Sequence, residues 1–341
     1  MGRSLLVTGG AGFIGSNFVR YILRTYPSYR VINLDKLTYS GNLNNLTDVA
    51  QDERYEFVHG DIADDKVVRP LVNRVDAVVN FAAESHVDRS IRNPREFLRT
   101  NVEGPYVLLE AAKERKVKRF LQVSTDEVYG EVPAGSSRED DRLQPRSPYS
   151  ASKTGGELLV QSYHVTYGLP TLITRGSNTI GPYQYPEKVV PLFITNALED
   201  KPLPIYGPGK AVRDYMHVWD HCRGIDMVLH HGEPGQAYNI GAGNEVNTVQ
   251  LATAVLTRLE KPLSLIRHVT DRPGHDQRYS VNTEKIHALG WKLRYSFEEA
   301  LSDTVAWYRG HDAWWQPIKQ GEYARWYAEH YHIPDSPDDK A

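Results

Sequence analysis

A doubly wound α/β fold, a parallel sheet with helices on both faces, is predicted by three features of this chain. Short apolar runs alternate with helical segments over residues 4–173, a glycine-rich turn joins the first run to the first helix, and the second run ends in a carboxylate. Leu5, Leu6, Val7 and Thr8 form the first strand, which leads into Gly9-Gly10-Ala11-Gly12-Phe13-Ile14-Gly15 and a helical pattern through Arg24.

Gly9, Gly12 and Gly15 serve, in turn, a tight turn, close backbone approach to a pyrophosphate, and close packing of helix on strand. The free N–H groups and partial positive charge of the helix N-terminus favour the anion. The second strand, residues 30–35, ends in Asp35, 20 residues after Gly15, where a ribose-binding acid belongs. Asp35 accepts hydrogen bonds from ribose hydroxyls and repels a 2′-phosphate, so NAD is favoured over NADP; the neighbouring Lys36 blunts that preference. A third strand, residues 55–62, ends in Gly60-Asp61-Ile62. Asp61 is either the N-cap of a helix over residues 63–72 or a contact to adenine. The fourth, residues 77–83, ends in small residues against which a cofactor can lie. The expected core is therefore a Rossmann-type sheet.

Beyond it come a helix over 96–116, a strand over 119–123, a helix over 149–167 and a strand over 171–174. After Arg175 the chain changes to Pro and Gly punctuation, with helices at 189–198 and 249–259. The expected organisation is a dinucleotide-binding domain over 1–175, its sheet completed by segments near 213–241. A smaller α/β substrate lobe occupies mainly 176–320, and a tail covers 321–341. From His311 onward the chain is rich in Trp and Tyr, which predicts packing on the body, while residues 335–341 read as disordered.

Composition narrows the class. A net charge of −3 on 341 residues, with no run of five like charges, argues against nucleic acid or an anionic membrane as partner. Cys222 is the sole cysteine, so no intrachain disulfide can form and a cytoplasmic location is expected. No apolar stretch reaches 18 residues, and the first residues read as a strand rather than a signal peptide. No metal site is predicted.

Two segments carry chemistry. Ser124-Thr125-Asp126-Glu127-Val128-Tyr129-Gly130 sets adjacent carboxylates after an apolar run. Consecutive residues on an extended strand point oppositely, so both can face one substrate only if the strand has ended. Tyr149 and Lys153 stand four apart at the start of a helix and share one face. A lysine ammonium there favours phenolate, which lets the tyrosine take a proton from a substrate hydroxyl.

The glycine pattern, the Tyr149–Lys153 pair and the strand order resemble the extended short-chain dehydrogenase/reductase family over nearly the whole chain. Five blocks in order resemble its nucleotide-sugar 4,6-dehydratases: residues 81–90, 124–130, 147–153, 181–188 and 271–276. The resemblance implies a tightly bound NAD, regenerated each turnover. Gly9, Gly12, Phe13, Ile14, Gly15, Asp35, Lys36, Leu37 and Thr38 would hold it, together with Asp61, Ile62, Phe81, Ala82, Ala83, Ser85, Thr100, Tyr149, Lys153 and Thr179. It implies substrate contacts at Ser85, Thr125, Asn178, Lys188, Val189, Pro204, Ile205, Tyr206, Arg213, Asn247, Arg272 and His275. Lys188, Arg213 and Arg272 would meet the diphosphate.

In that reading Tyr149 is the base for oxidation of the sugar at carbon 4, which makes the proton on carbon 5 acidic. Glu127 removes that proton, and Asp126, kept neutral by burial and by the like charge of Glu127, protonates the hydroxyl leaving carbon 6. Thr125 supports Tyr149. Asp271-Arg272-Pro273-Gly274-His275-Asp276 favours a thymidine nucleotide over a uridine one. A 4-epimerase would share the NAD site but would not need Asp126 and Glu127, and a non-catalytic NAD-binding scaffold would not need the complete set. The resemblance also implies a homodimer through a four-helix bundle near residues 95–116 and 150–167. The chain departs from the family pattern at Gly176-Ser177-Asn178-Thr179-Ile180-Gly181 and in a shorter loop before Asn247, and no family motif is matched after Lys319.

Overall fold

The computed structural model describes residues 3–320 and 322–331; the expectation for residues 335–341 lies outside them. The strands are β1 (Ser4–Thr8), β2 (Arg30–Asp35), β3 (Tyr55–His59), β4 (Ala77–Asn80), β5 (Arg119–Thr125), β6 (Thr171–Gly176), β7 (Asn178–Ile180), β8 (Leu203–Tyr206), β9 (Val212–His217), β10 (Ala237–Ile240), β11 (Glu245–Asn247) and β12 (Ile266–Val269). Seven of them form a parallel sheet in the order β10-β6-β5-β4-β1-β2-β3. The chain winds outward in one direction from β1 and in the other from β4. Ligands of such sheets bind beyond the carboxyl ends of the strands at that reversal.

Near-continuous apolar strands suit a sheet covered on both faces. On one face Phe18, Val19 and Ile22 of the Phe13–Thr25 helix pack with Cys222, Ile225 and Val228 of the Val218–His231 helix. On the other, Val68, Leu108, Ala112 and Val160 come from the Asp65–Val72, Gly104–Arg115 and Pro148–Tyr167 helices.

The segment expected near 213–241 divides. Only β10 joins the large sheet, while β9 forms a three-stranded sheet with β7 and β11. The Val218–His231 helix and Trp291 also pack on the sheet, so the 176–320 range does not all belong to the lobe. A second core joins Phe193, Ile205, Leu251 and Leu301 with Trp315, Tyr323, Trp326 and Tyr331, which puts the aromatic tail against the lobe.

The predicted helix over 96–116 is broken into Pro94–Leu98, a π-helical turn Arg99–Glu103, and Gly104–Arg115. Periodicity alone does not reveal a π-turn, which often marks a functional position.

Candidate active site

β5 stops at Thr125, and a 3-10 turn, Asp126–Tyr129, follows at once. Thr125 Oγ1 caps that turn by accepting the Glu127 N–H at 3.3 Å. The strand has therefore ended before the two carboxylates, and both line one cavity. Gly130 closes the turn at φ +75°, where a Cβ would stand 2.2 Å from the Gln144 carbonyl oxygen. Tyr149 and Lys153 enter from the Pro148–Tyr167 helix, whose start is fixed by Pro148 and by a Ser147–Ser150 capping box.

Asp126 is 4% exposed, and its Oδ2 is buried without a partner among the described residues. Burial and the adjacent Glu127 charge push its carboxyl up to about 8, so it is largely protonated at neutral pH. Glu127 is also raised by burial, but the Arg272, Arg213 and Lys188 charges oppose the rise. The three cations selected for a diphosphate thus converge electrostatically on the second carboxylate.

The expected effect of Lys153 on Tyr149 differs in this structure. Lys153 Nζ donates to the Val123 carbonyl at 2.8 Å, and burial lowers its ammonium to about 8, against the raising influence of Glu157. The Tyr149 phenol is pushed well above its ordinary range by burial and then by Glu127; a hydrogen bond from Thr125 works against this. Desolvation outweighs that help.

The cavity, of about 290 Å³, runs from the glycine turn to the two carboxylates. At Gly9 the backbone has φ +70°, and a Cβ would stand 2.6 Å from the Ala82 nitrogen. A Cβ at Gly15 would strike the Gly9 carbonyl oxygen at 2.3 Å, whereas one at Gly12 would meet only that oxygen, at 3.3 Å. Gly12 therefore faces open space beside the helix N-terminus, a cradle that suits a pyrophosphate. Asp35 lines the cavity, each oxygen accepting one backbone N–H at 2.8 Å, from Ala11 and from Leu37. A carboxylate retains further lone pairs for ribose hydroxyls. The residues present fit a dinucleotide.

Residues 6–304 match the sequence profile described as GDP-mannose 4,6 dehydratase. The chain belongs to the GDP-mannose 4,6 dehydratase family. It is 49% identical to a dTDP-glucose 4,6-dehydratase of Streptomyces niveus, over 94% of this chain and 97% of that protein. It is 43% identical to a dTDP-glucose 4,6-dehydratase of Shigella flexneri, over 96% of this chain and 98% of that one. The crystal structure of the dTDP-glucose 4,6-dehydratase DesIV from Streptomyces venezuelae, with NAD and TYD bound, superposes with a TM-score of 0.91 at 50% identity. That match covers 93% of this chain and 100% of the other. Residues 1–319 make up less than the share of the chain that the Shigella relative spans, so part of the segment after Lys319 has a counterpart in this 4,6 dehydratase family after all.

In this family member the cavity wall contains Gly9, Gly12, Phe13, Ile14, Gly15, Asp35, Lys36, Thr38, Asp61, Ile62, Phe81, Ala82, Ala83, Ser85 and Thr100. It also contains Thr125, Asp126, Glu127, Tyr149, Lys153, Asn178, Thr179 and Lys188. Asp61 is not the helix cap; Asp64 is, accepting from the Lys66 N–H. Asp61 accepts from Ala63 N–H and pairs with Lys36 and Arg99, each at 3.0 Å, so Lys36 already has an anionic partner. Lys188 Nζ donates to the Ser85 carbonyl at 2.6 Å, and Asn178 Oδ1 is buried without a partner among the described residues.

Other expected contacts lie outside that wall. Leu37, at φ +53°, packs against the sheet core. Val189 begins a helix that packs on the second core, and Pro204 and Ile205 are buried in β8. Asn247 accepts the Gln250 N–H and caps the Thr248–Arg258 helix. Arg213 donates to the Asp276 and Val212 carbonyls; His275 pairs with Asp271, and Tyr206 and Arg272 bond to Asp88. At the departure from the family pattern, a Cβ on Gly176 would stand 2.5 Å from the His221 ring, so the glycine makes room for that histidine.

Sequence reasoning missed two supports. Asn101, on the π-turn, bonds to both the N–H and the carbonyl of Glu84, at 2.9 and 3.0 Å, and donates to Ser152 Oγ at 2.9 Å, tying the loop after β4 to the Pro148–Tyr167 helix. Arg175, at the end of β6, pairs with the buried Glu157 of that helix and donates to Tyr129 Oη at 2.6 Å on the carboxylate turn. The single charged residue in β6 was the available signal.

Proposed function

We propose that the protein is an NAD-dependent dTDP-glucose 4,6-dehydratase that converts dTDP-glucose to dTDP-4-keto-6-deoxyglucose and water. The observation that carries this reading is the buried, neutral Asp126, its Oδ2 without a partner among the described residues and its Oδ1 accepting from Thr125, beside the cation-facing Glu127 within one cavity that also holds Tyr149. The similarity to dTDP-glucose 4,6-dehydratases over more than nine-tenths of the chain supports it. NAD, when bound, accepts hydride from carbon 4, returns it to carbon 6, and brings a cationic ring whose charge favours the Tyr149 phenolate. The Gly9–Gly15 turn, Asp35 and the small residues after β4 would hold it.

Tyr149 takes the proton of the carbon-4 hydroxyl, with Thr125 bonded to the phenol. Glu127 removes the proton from carbon 5 and, once protonated, gives one back to carbon 5 when the hydride reaches carbon 6. Asp126 gives its proton to the hydroxyl leaving carbon 6, so elimination releases water without a free hydroxide. Lys188, Arg213 and Arg272 supply positive potential for the diphosphate. Asp126 and Glu127 disfavour the epimerase reading, which has no use for them.

We further infer a homodimer in the cytoplasm. Leu98, Tyr106, Leu158, Val165 and Tyr167 are large apolar side chains exposed on the helices expected to form the bundle, Val165 at 84%. Among the described residues no helix is long and apolar enough to cross a membrane. The functional test is incubation with dTDP-glucose and, separately, UDP-glucose, without added NAD. A 4-keto product, formed faster from dTDP-glucose, is expected; no keto product even with NAD supplied would overturn the reading.

A further inference from the structure

Asp88 takes no part in the chemistry above, yet it is 5% exposed, accepts from two distant donors and has the His330 ring beside it. It lies on the short Val87–Arg92 helix that follows the cofactor-facing loop after β4. Arg272 Nη1 donates to Oδ1 at 3.1 Å, and Tyr206 Oη donates to Oδ2 at 3.1 Å. His330, on the tail helix Glu322–Tyr331, places Nε2 3.3 Å from Oδ2 and also beside Tyr206 Oη. His330 Nδ1 lies 3.4 Å from Arg92 Nη2. A guanidinium can only donate, so Nδ1 accepts and the proton of a neutral ring sits on Nε2, beside the Tyr206 hydroxyl that donates to Asp88 and 3.3 Å from Asp88 itself.

The packing around this hub is aromatic. Trp326 stacks on the His330 ring at 4.7 Å and meets His86 edge-on at 5.2 Å, while the Tyr206 ring lies 5.9 Å from those of His275 and Tyr331. Arg272 keeps a second feature of note: its Nε is buried and has no partner among the described residues. Asp88 thus holds the guanidinium by one arm, and the Nε donor keeps its capacity for an anion.

We propose that Asp88 is a positioning residue for the diphosphate end of the substrate: it fixes Arg272 and Tyr206 and, through His330, fastens the tail helix over the same lobe. The inference rests on the nucleotide-sugar reading. Because one carboxylate serves both the anion-binding arginine and the tail, nucleotide binding and tail docking are thermodynamically linked, each favouring the other.

The test uses the full-length protein with Asp88→Asn and His330→Phe. Amide exchange is read over residues 322–331 with and without dTDP, beside dTDP affinity and steady-state kinetics on dTDP-glucose. Asp88→Asn is expected to weaken dTDP binding and raise KM at least 10-fold, to lower kcat less than 3-fold, and to speed exchange in the tail helix without any nucleotide. His330→Phe keeps the ring stacking and loses the bond; it is expected to speed tail exchange and raise KM by about 3-fold or more. Should Asp88→Asn fail to fold, His330→Phe decides alone. Wild-type tail exchange and dTDP affinity in a folded Asp88→Asn, or in His330→Phe, would overturn the proposal. A wild-type protein that ignores dTDP-glucose would instead contradict the functional reading, while tail exchange without nucleotide still tests the fastening.

Discussion

Asp126 and Glu127 adjoin in the chain but meet different surroundings: Asp126 has an unpartnered buried oxygen, whereas Glu127 faces the charges of Arg272, Arg213 and Lys188. In the proposed mechanism that contrast suits one as the acid and the other as the base. Replacing either with its amide removes a proton-transfer group, which costs about 10²–10⁴ in rate. Asp126→Asn should lose dehydration by about that factor yet still exchange the carbon-5 hydrogen with solvent deuterium, whereas Glu127→Gln should lose both; mass spectrometry of recovered sugar separates them. The pH dependence follows from the same carboxyl. Asp126 must be protonated to act, so kcat should fall as pH rises through about 8. The interaction with Glu127 makes the apparent value a property of the pair. Its folded pKa is raised, so folding favours the protonated form. The stability of wild type relative to Asp126→Asn should therefore decline from about pH 4, near the ordinary carboxylate range, to about pH 8 and then level off. A flat difference in denaturant midpoints across that range would contradict the assignment.

At the scale of elements, the carboxylate turn and the Pro148–Tyr167 helix are held together by the Glu157–Arg175–Tyr129 chain, whose ion pair is buried. Removing one partner of a buried pair leaves an uncompensated charge and costs about 3–5 kcal/mol. Glu157→Gln should therefore lower stability by about that amount in chemical denaturation and lower kcat as the turn loosens. Unchanged values would mean that the pair is idle. The elements at the sheet's carboxyl edge were legible because each carries a local signal: the glycine spacing before Phe13, Asp35 at a strand end, and the Tyr149–Lys153 spacing. What was not legible depends on distance. Nothing near Asn101 announces a π-turn, and nothing near Asp61 says that Asp64 would take the cap while Lys36 and Arg99 took Asp61. The Lys153 ammonium could not be placed on the Val123 carbonyl from spacing, because that contact depends on how the helix docks against β5.

Across the whole molecule, one cavity wall joins the glycine turn and Asp35 of the sheet, Asp126 and Glu127, and Lys188. The exposed apolar side chains on the Gly104–Arg115 and Pro148–Tyr167 helices lie away from the cavity, so an interface there leaves it free. Leu158→Arg with Val165→Glu should convert a dimer to a monomer in light scattering while the protein stays folded; an unchanged mass would place any interface elsewhere. The central claim is that one cavity moves a hydrogen from carbon 4 to carbon 6 of the same sugar while water leaves. The most direct measurement is turnover of dTDP-glucose carrying deuterium at carbon 4, with product analysed by NMR. The account predicts deuterium at carbon 6 of a 4-keto-6-deoxy product. Deuterium retained at carbon 4 of an epimer, or no product at all, would contradict it.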